Sequence, residues 1–296
     1  MGLVLKRGVY MARLRMGTCS WKFPSWHGLV YSKPRGIDYL REYAQRYDTV
    51  EIDQWFWSRF GPGEVSLPDP ADVAAYRAAV PDGFTFTVKG PNSVTLTHLY
   101  KKEDDDPLVV NPSFLSASLM STFLQLLVPL RDALGPIMFQ FEYLNRKKMS
   151  SQDSFQKQFT VFARQLPQGY TYGVEVRNSK YLNDAYFRFL GGNGLIPVLL
   201  QGYWMPPVWE VYAEHRERIL SHKTAVIRLL GPDREGIEEL TGKRWDGLVA
   251  PKDRELPRVV DIVHDLMNEG IDVYINVNNH YEGSAPLTVE RIRELM

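Results

Sequence analysis

The sequence predicts an α/β protein made of a single (β/α)8 TIM-like barrel, with a polar pocket at the end where its strands finish. Three observations carry that expectation. Eight short β-rich runs alternate with segments of helical period, polar residues recur on one face of those runs, and all seven tryptophans fall in segments that follow a strand. Parallel strands need long crossover connections, commonly helices, and eight such units closing on themselves are the economical arrangement. A doubly wound open sheet is the structural rival. The chain has 296 residues, and barrels of this kind occupy roughly 250 as one domain, so no second domain is required.

The runs come in order as Arg13–Cys19, Thr49–Asp53, Phe84–Gly90, Pro136–Glu142, Tyr172–Asn178, Ile196–Gly202, Ala225–Gly231 and Asp272–Asn279. Each has the length and the Val, Ile and Phe content of a buried parallel strand. Between them lie amphipathic stripes: Ile37, Leu40, Ala44 and Tyr47, then a longer one through Leu119, Phe123, Leu126, Leu130 and Leu134. Phe155, Phe159, Phe162 and Leu166 repeat the pattern, as do Val259, Ile262, Val263 and Leu266. Residues 1–12 read as an extension ahead of a barrel domain at 13–296. The segment from Gly231 to Glu255 is long for a connection, which makes it a candidate lid.

Lys plus Arg and Asp plus Glu are equal at 35 each, which argues against broad electrostatic binding to nucleic acid or membrane. The one cysteine, Cys19, excludes an intrachain disulfide framework and fits a reducing cytoplasm. No run of 18 apolar residues and no clear signal peptide is present, so a soluble cytoplasmic protein is expected.

Side chains alternate along a barrel strand between the axis and the helices. With the apolar set turned toward the helices, Glu51 and Asp53, Thr85, Thr87 and Lys89, Gln140 and Glu142, Glu175 and Arg177, Arg228, and Tyr274, Asn276 and Asn278 face inward. Bulky aliphatics normally fill that interior. Charges placed there must pair with each other, meet water or meet a ligand, because an unpaired buried charge costs several kcal/mol (roughly). A plug of ion pairs is the structural reading. A site is the functional one, since barrel enzymes place their chemistry at the strands' C-terminal ends. Trp21 and Trp55 are expected at the rim, where flat amphipathic rings suit a sugar face or a nucleobase. His98 falls on the same expected face.

HExxH, paired cysteines, GxGxxG, GxxxxGK[ST] and GxSxG are all missing. No metal site and no cofactor is therefore expected, though a carboxylate and asparagine site for a hard cation is conceivable.

Eight segments in order carry a family resemblance: GTCSW (17–21), TVEID (49–53), FTVK (86–89), LTH (96–98), LGPIMFQFE (134–142), VEVRN (174–178), IRLLG (227–231) and VYINVNNHYEGSAP (273–286). Together they resemble the DUF72 (YecE-like) family over nearly the whole chain. The resemblance implies a TIM-barrel-like fold and no established activity. It matches Glu51, Lys89, Gln140, Glu175, Arg177, Arg228, Asn278 and Asn279. Two positions depart from the family's pattern: Glu142, where many members have proline, and Leu230, where many have histidine.

The expected function is catalysis on a small polar or anionic, sugar-like or nucleotide-like substrate, as a hydrolase or lyase. Glu51 and Glu175 would be acid and base if burial separates their pKa values, with Lys89 beside them as an electrostatic anchor rather than a nucleophile. Arg177, Arg228, Gln140, Asn276, Asn278, Asn279, His98, Trp21 and Trp55 would bind substrate. Glycoside hydrolysis fits less well, because barrel glycosidases carry carboxylates after strands four and seven, where this chain offers Gln140 or Glu142 and then Arg228. The alternative is a non-catalytic protein binding a ligand or single-stranded nucleic acid through a basic collar at Lys101, Lys102, Arg146, Lys147, Lys148, Lys243 and Arg244. Acidic neighbours at 103–106 and 238–239 would cancel much of that collar, and the oligomeric state stays open.

Overall fold

The computed structural model describes residues 11–59, 64–101, 103 and 105–296. Most of the expected extension (residues 1–10), together with Lys102 and Asp104, lies outside the described residues. Eight parallel strands form the sheet: β1 (Leu14–Thr18), β2 (Thr49–Ile52), β3 (Thr85–Lys89), β4 (Leu134–Gln140), β5 (Tyr172–Glu175), β6 (Ile196–Gly202), β7 (Thr224–Gly231) and β8 (Asp272–Val277). They are hydrogen-bonded in the order β1-β8-β7-β6-β5-β4-β3-β2. The first and last strands pair in parallel, Leu14 with Val273 and Gly17 with Asn276. The helices are α1 (Tyr39–Tyr43), α2 (Pro70–Ala79), α3 (Asn92–Thr95), α4 (Ala117–Leu126), α5 (Gln152–Ala163), α6 (Asp184–Gly192), α7 (Val208–Leu220), α8 (Arg234–Thr241), α9 (Leu256–Asn268) and α10 (Ala285–Leu295). The architecture is a nearly closed (β/α)8 barrel.

Closure is incomplete between β1 and β2, and the residues there show why. The backbones meet only at a bridge between Cys19 and Glu51. Below it the Tyr43 hydroxyl stands between the strands, accepting from the Thr18 amide at 2.9 Å and donating to the Thr49 carbonyl at 3.1 Å. One side chain thus replaces a direct ladder bond. The strands still approach closely at Gly17, where a Cβ would sit 2.0 Å from the Thr49 oxygen.

Two helical stripes come out shorter than their periodicity implied. The first yields only the five residues of α1, capped by Asp38. The longer second one stops at Leu126 and continues as a tighter 3-10 run over Val128–Ala133. Pro129 has no amide hydrogen to extend an α-helix, and its ring crowds the preceding turn. Elsewhere side chains cap the helix starts: Ser151 accepts from the Ser154 amide at 3.1 Å and Asn183 from the Tyr186 amide at 3.2 Å.

The outer core lies between barrel and helices. Phe139 and Phe141, outward on and just after β4, pack edge-to-face on Phe159 and Phe155 of α5, with centroids 5.6 and 4.9 Å apart. Inside the barrel, Met138, Ile196, Val198 and Val226 form a separate aliphatic cluster with Tyr274 packed against it. That cluster plugs the half of the barrel nearest the strands' starts and leaves the other half polar. Among the described residues, no helix is long and apolar enough to cross a membrane.

Candidate functional site at the barrel mouth

Above the aliphatic plug, the inward residues of β2, β5, β7 and β8 form a layer of buried charge. Arg228 is its centre and is fully buried. Its Nε and Nη2 each donate to Glu51 at 2.7 Å, a bidentate pair, while Nη1 donates to Gln140 at 3.1 Å and to Glu175. Asn276 Nδ2 donates to Glu51 Oε2 at 3.1 Å and to the Thr87 hydroxyl at 2.9 Å. Two cations complete the layer from above. Lys89 Nζ lies 3.5 Å from Glu51, and Arg177 Nη2 lies 2.7 Å from Glu175.

These distances decide the ionisation. Burial works to raise the Glu51 carboxyl, but Arg228 and then Lys89 outweigh it and hold its pKa below the usual value. Glu175 is likewise lowered, with Arg177 and Arg228 overcoming the burial penalty. Burial opposes the Arg228 cation, and Glu175 and Glu51 reverse that effect. Both glutamates are therefore ionised at neutral pH, and neither reaches solvent. The expected division into one acid and one base does not fit this geometry, because the same arginine lowers both. Nor is Arg228 placed to grip a substrate anion, since its fork is already occupied by the two carboxylates.

A cavity of about 490 Å³ opens over this floor. Lys89, Gln140, Arg177, Arg228, Asn278 and Asn279 all line it, so six of the residues singled out from sequence converge there. Glu51, Glu175 and Asn276 sit beneath as support. Asn279 has a largely structural contact, accepting from the Ala285 amide at 2.9 Å at the start of α10.

Three of the sequence-chosen residues lie elsewhere. Trp21 and Trp55 are buried against Tyr76 of α2, with ring centroids 5.1 and 5.4 Å away. They pack beneath the loops because Tyr76 offers an apolar partner. Trp57 and Trp245 are the tryptophans beside the cavity, with Phe23, Phe141 and Tyr203 also in its lining. His98 falls in a neighbouring depression of about 640 Å³, with Tyr100 and Lys147, which meets the central cavity only at Glu142.

Sequence reasoning missed Asp53, which lies one residue beyond β2 on the inward face and lines the cavity. Burial raises its pKa above the usual carboxylate value, with Lys89 opposing and the Glu51 charge adding to the rise. Its parity was legible; its place beyond the neutralised layer was not. His280 falls by sequence on the same face as His98, without an expected role. Its Nε2 lies 3.0 Å from Glu238 of α8, and its ring packs edge-on to Trp245, centroids 4.9 Å apart. The 231–255 segment is pinned rather than loose: the Trp245 amide donates to Ser25 Oγ at 3.1 Å, and the Val249 amide to the Glu282 carbonyl at 2.8 Å. Among the described residues, no group of three or more His, Cys, Asp or Glu is placed to hold a metal ion.

Residues 15–296 match the family described as "Protein of unknown function DUF72". The chain belongs to the DUF72 family. A DUF72 protein of Thermotoga maritima has a similar structure at 22% identity and a TM-score of 0.66, covering 96% of this chain and 98% of that one. A DUF72 protein of Enterococcus faecalis gives 18% identity and a TM-score of 0.64, covering 96% of each chain. At such identities the likeness establishes the fold alone. No curated protein matches the chain.

Proposed function

We propose that this DUF72 protein is an enzyme that binds a small anionic, sugar-like or nucleotide-like substrate at the barrel mouth. Lys89 and Arg177 are its anion anchors and Asp53 its proton-transfer group. One observation carries the reading: Lys89 and Arg177 each rest on a buried carboxylate that Arg228 also neutralises, and both line the cavity. Within the floor, Glu51 and Glu175 against Lys89, Arg177 and Arg228 leave one positive charge in excess. Asp53 beside Lys89 offsets it while ionised, and a ligand anion supplies the counter-charge once Asp53 is protonated, with Arg177 able to offer a planar donor set.

Asp53 suits acid–base work better than either glutamate. It lines the cavity, and its raised pKa brings its proton exchange closer to neutral pH. The reaction class this favours is proton-assisted bond cleavage, as in a hydrolase or lyase. The nucleic-acid alternative draws less support, because several cations of the expected collar are paired: Lys148 with Glu142 at 2.5 Å, Lys243 with Glu238 at 3.3 Å and Arg244 with Asp246 at 2.6 Å.

The test is calorimetric titration with inorganic phosphate, ribose 5-phosphate and ribose. A charge-assisted hydrogen bond contributes about 1.5–3 kcal/mol, so Lys89→Gln and Arg177→Gln should each weaken phosphate-ligand binding at least tenfold or so. Ribose binding as tightly as its phosphate, or unchanged affinity in both variants, would overturn the anion reading. A ligand that binds Asp53→Asn at least as tightly yet is turned over only by the unsubstituted protein supports the catalytic half. Equal turnover by Asp53→Asn removes Asp53 from the mechanism.

A further inference from the structure

A second cleft, of about 560 Å³, adjoins the central cavity. It is lined by Tyr143, Ser179, Trp204 and Met205, and it shares Arg177 and Tyr203 with the anion site. The shared wall is a cation–ring pair: the Arg177 guanidinium carbon lies 4.5 Å from the centroid of the Tyr203 ring. Both members of the pair line both spaces.

The way the chain builds this wall is costly. Tyr203 follows Gly202 at the end of β6 and adopts a left-handed conformation, φ 52°, that residues with a side chain seldom take. Its amide is held by the Gly231 carbonyl at 2.9 Å, which fixes the turn against β7. Non-glycine residues held in this region cluster at ligand sites, where surrounding contacts keep them in place. The next residue, Trp204, is 93% exposed, and Tyr143 on the loop after β4 is 63% exposed. Two large rings are thus left uncovered on either side of β5, the strand that leads to Arg177.

Chemistry narrows what the cleft accepts. A sugar ring carries hydroxyls in every direction and needs several polar partners. This lining offers Ser179 and the already shared Arg177, beside three aromatic rings and a methionine. A flat apolar ring needs only faces to stack on, and it is the better fit.

We infer that the ligand of the anion site also carries an aromatic ring, which occupies this cleft against Trp204, Tyr143 and Tyr203. The substrate class is then a nucleotide or another phosphorylated aromatic, its charge on Lys89 and Arg177 and its ring outside them. The inference rests on the anion site proposed above, and the experiment separates the two.

Adenosine monophosphate, phenyl phosphate, ribose 5-phosphate and adenosine are titrated into the unsubstituted protein, Lys89→Gln, and the double variant Tyr143→Ala, Trp204→Ala. Both aromatic positions are exposed, so the double variant should fold normally, which circular dichroism checks. The expected result is that adenosine monophosphate or phenyl phosphate binds about tenfold more tightly than ribose 5-phosphate. The advantage should fall below about threefold in the double variant, with ribose 5-phosphate affinity unchanged. Phenyl phosphate matching the nucleotide means the ring alone is read; a preference for the nucleotide adds contacts to its base edges. Ribose 5-phosphate binding as tightly as both, or an advantage that survives the double variant, overturns the ring cleft while leaving the anion site standing. Adenosine binding as well as its monophosphate, with Lys89→Gln affecting neither, instead overturns the anion site. No binding by any of the four overturns both.

Discussion

Replacing Arg228 by Met tests whether the barrel floor holds two ionised carboxylates. In the native protein Arg228 is the shared partner of Glu51 and Glu175, and all three are fully buried. Breaking a buried ion pair by removing one partner costs about 3–5 kcal/mol, because a charge is left uncompensated. Here two carboxylates lose a partner, but each keeps one, Lys89 at 3.5 Å and Arg177 at 2.7 Å. The expected loss is thus nearer that of one pair, about 4 kcal/mol at pH 8. With a urea m value of about 3 kcal/mol/M, the unfolding midpoint should fall by about 1.3 M.

The pH dependence should also change sign. Both glutamates have lowered pKa values in the native fold, so their contribution to stability is complete above the unfolded value, about 4.3, and is lost as pH falls through the lower folded values. In Arg228→Met the burial penalty is no longer outweighed, and the folded pKa values rise above the unfolded one. Protonation then relieves the variant, which should gain stability as pH is lowered from 8 to 5.5. The triple variant Glu51→Gln, Glu175→Gln, Arg228→Met removes the three fully buried charges and leaves only Lys89 and Arg177, which reach the cavity, so it should recover to within about 2 kcal/mol of the native protein. Urea unfolding at the two pH values measures all of this. An Arg228→Met protein within 1 kcal/mol (roughly the cost of an ordinary substitution) at pH 8, or one whose deficit grows on acidification, refutes the charged floor.

Three further outcomes follow from the geometry. Tyr43→Phe leaves the Thr18 amide and Thr49 carbonyl without their bridge and should cost about 1–3 kcal/mol in urea unfolding, with faster exchange of the Thr18 amide; no change in either means the β1–β2 seam closes by other contacts. Gly17→Ala at the same seam forces a Cβ to within 2.0 Å of the Thr49 oxygen and should be more damaging than the loss of the tyrosine hydroxyl; a well-folded variant of native midpoint contradicts the close approach. Asp53 has a raised pKa, so its charge, which repels a bound anion, disappears as pH falls through that value. The ratio of native to Asp53→Asn affinity for a phosphate ligand should accordingly rise on acidification, the comparison cancelling the ligand's own second ionisation at about pH 6, as measured by calorimetry on both proteins between pH 4.5 and 7.5; a ratio that does not change with pH contradicts the role of the Asp53 charge.

The strands were legible because their apolar residues alternate so regularly. Val50 and Ile52, Phe86 and Val88, and Ile275 and Val277 announce their outward face, and their neighbours must then face the axis. That parity argument assigns a side but no height. Glu51 and Asp53 lie on the same face of one strand, yet one is paired in the floor and the other lines the cavity. Height depends on how the strands are staggered around the barrel, visible here in pairings such as Arg228 with Asn276 and Gln140 with Glu175. The same limit separated the two inward arginines, which sequence reasoning treated alike: Arg228 is saturated by carboxylates, and Arg177 keeps a face on the cavity. The tryptophans failed for a different reason. Their place after strands was readable, but whether a ring is covered depends on a distant partner: Tyr76 on α2 claims Trp21 and Trp55, whereas Trp57 and Trp204 are left exposed among the described residues.

The floor itself argues for a ligand. Charged clusters of this kind are seldom the most stable filling for a barrel, since well-packed apolar side chains of similar volume do as well or better. The chain demonstrably builds such a filling one layer below, with Met138, Ile196, Val198 and Val226. Stability alone therefore gives no reason to switch to glutamates and an arginine higher up. Positioning does. Glu51 holds the Lys89 ammonium, Glu175 holds the Arg177 guanidinium, and Arg228 ties both carboxylates into one rigid unit. Two cations on long, flexible side chains are thereby fixed at the cavity before any ligand arrives, which lowers the cost of ordering them on binding. On this argument the buried layer acts through Lys89 and Arg177. Its substitutions should consequently weaken anion binding even where they leave the fold intact, whereas loss of stability without loss of affinity would assign the layer to the fold alone.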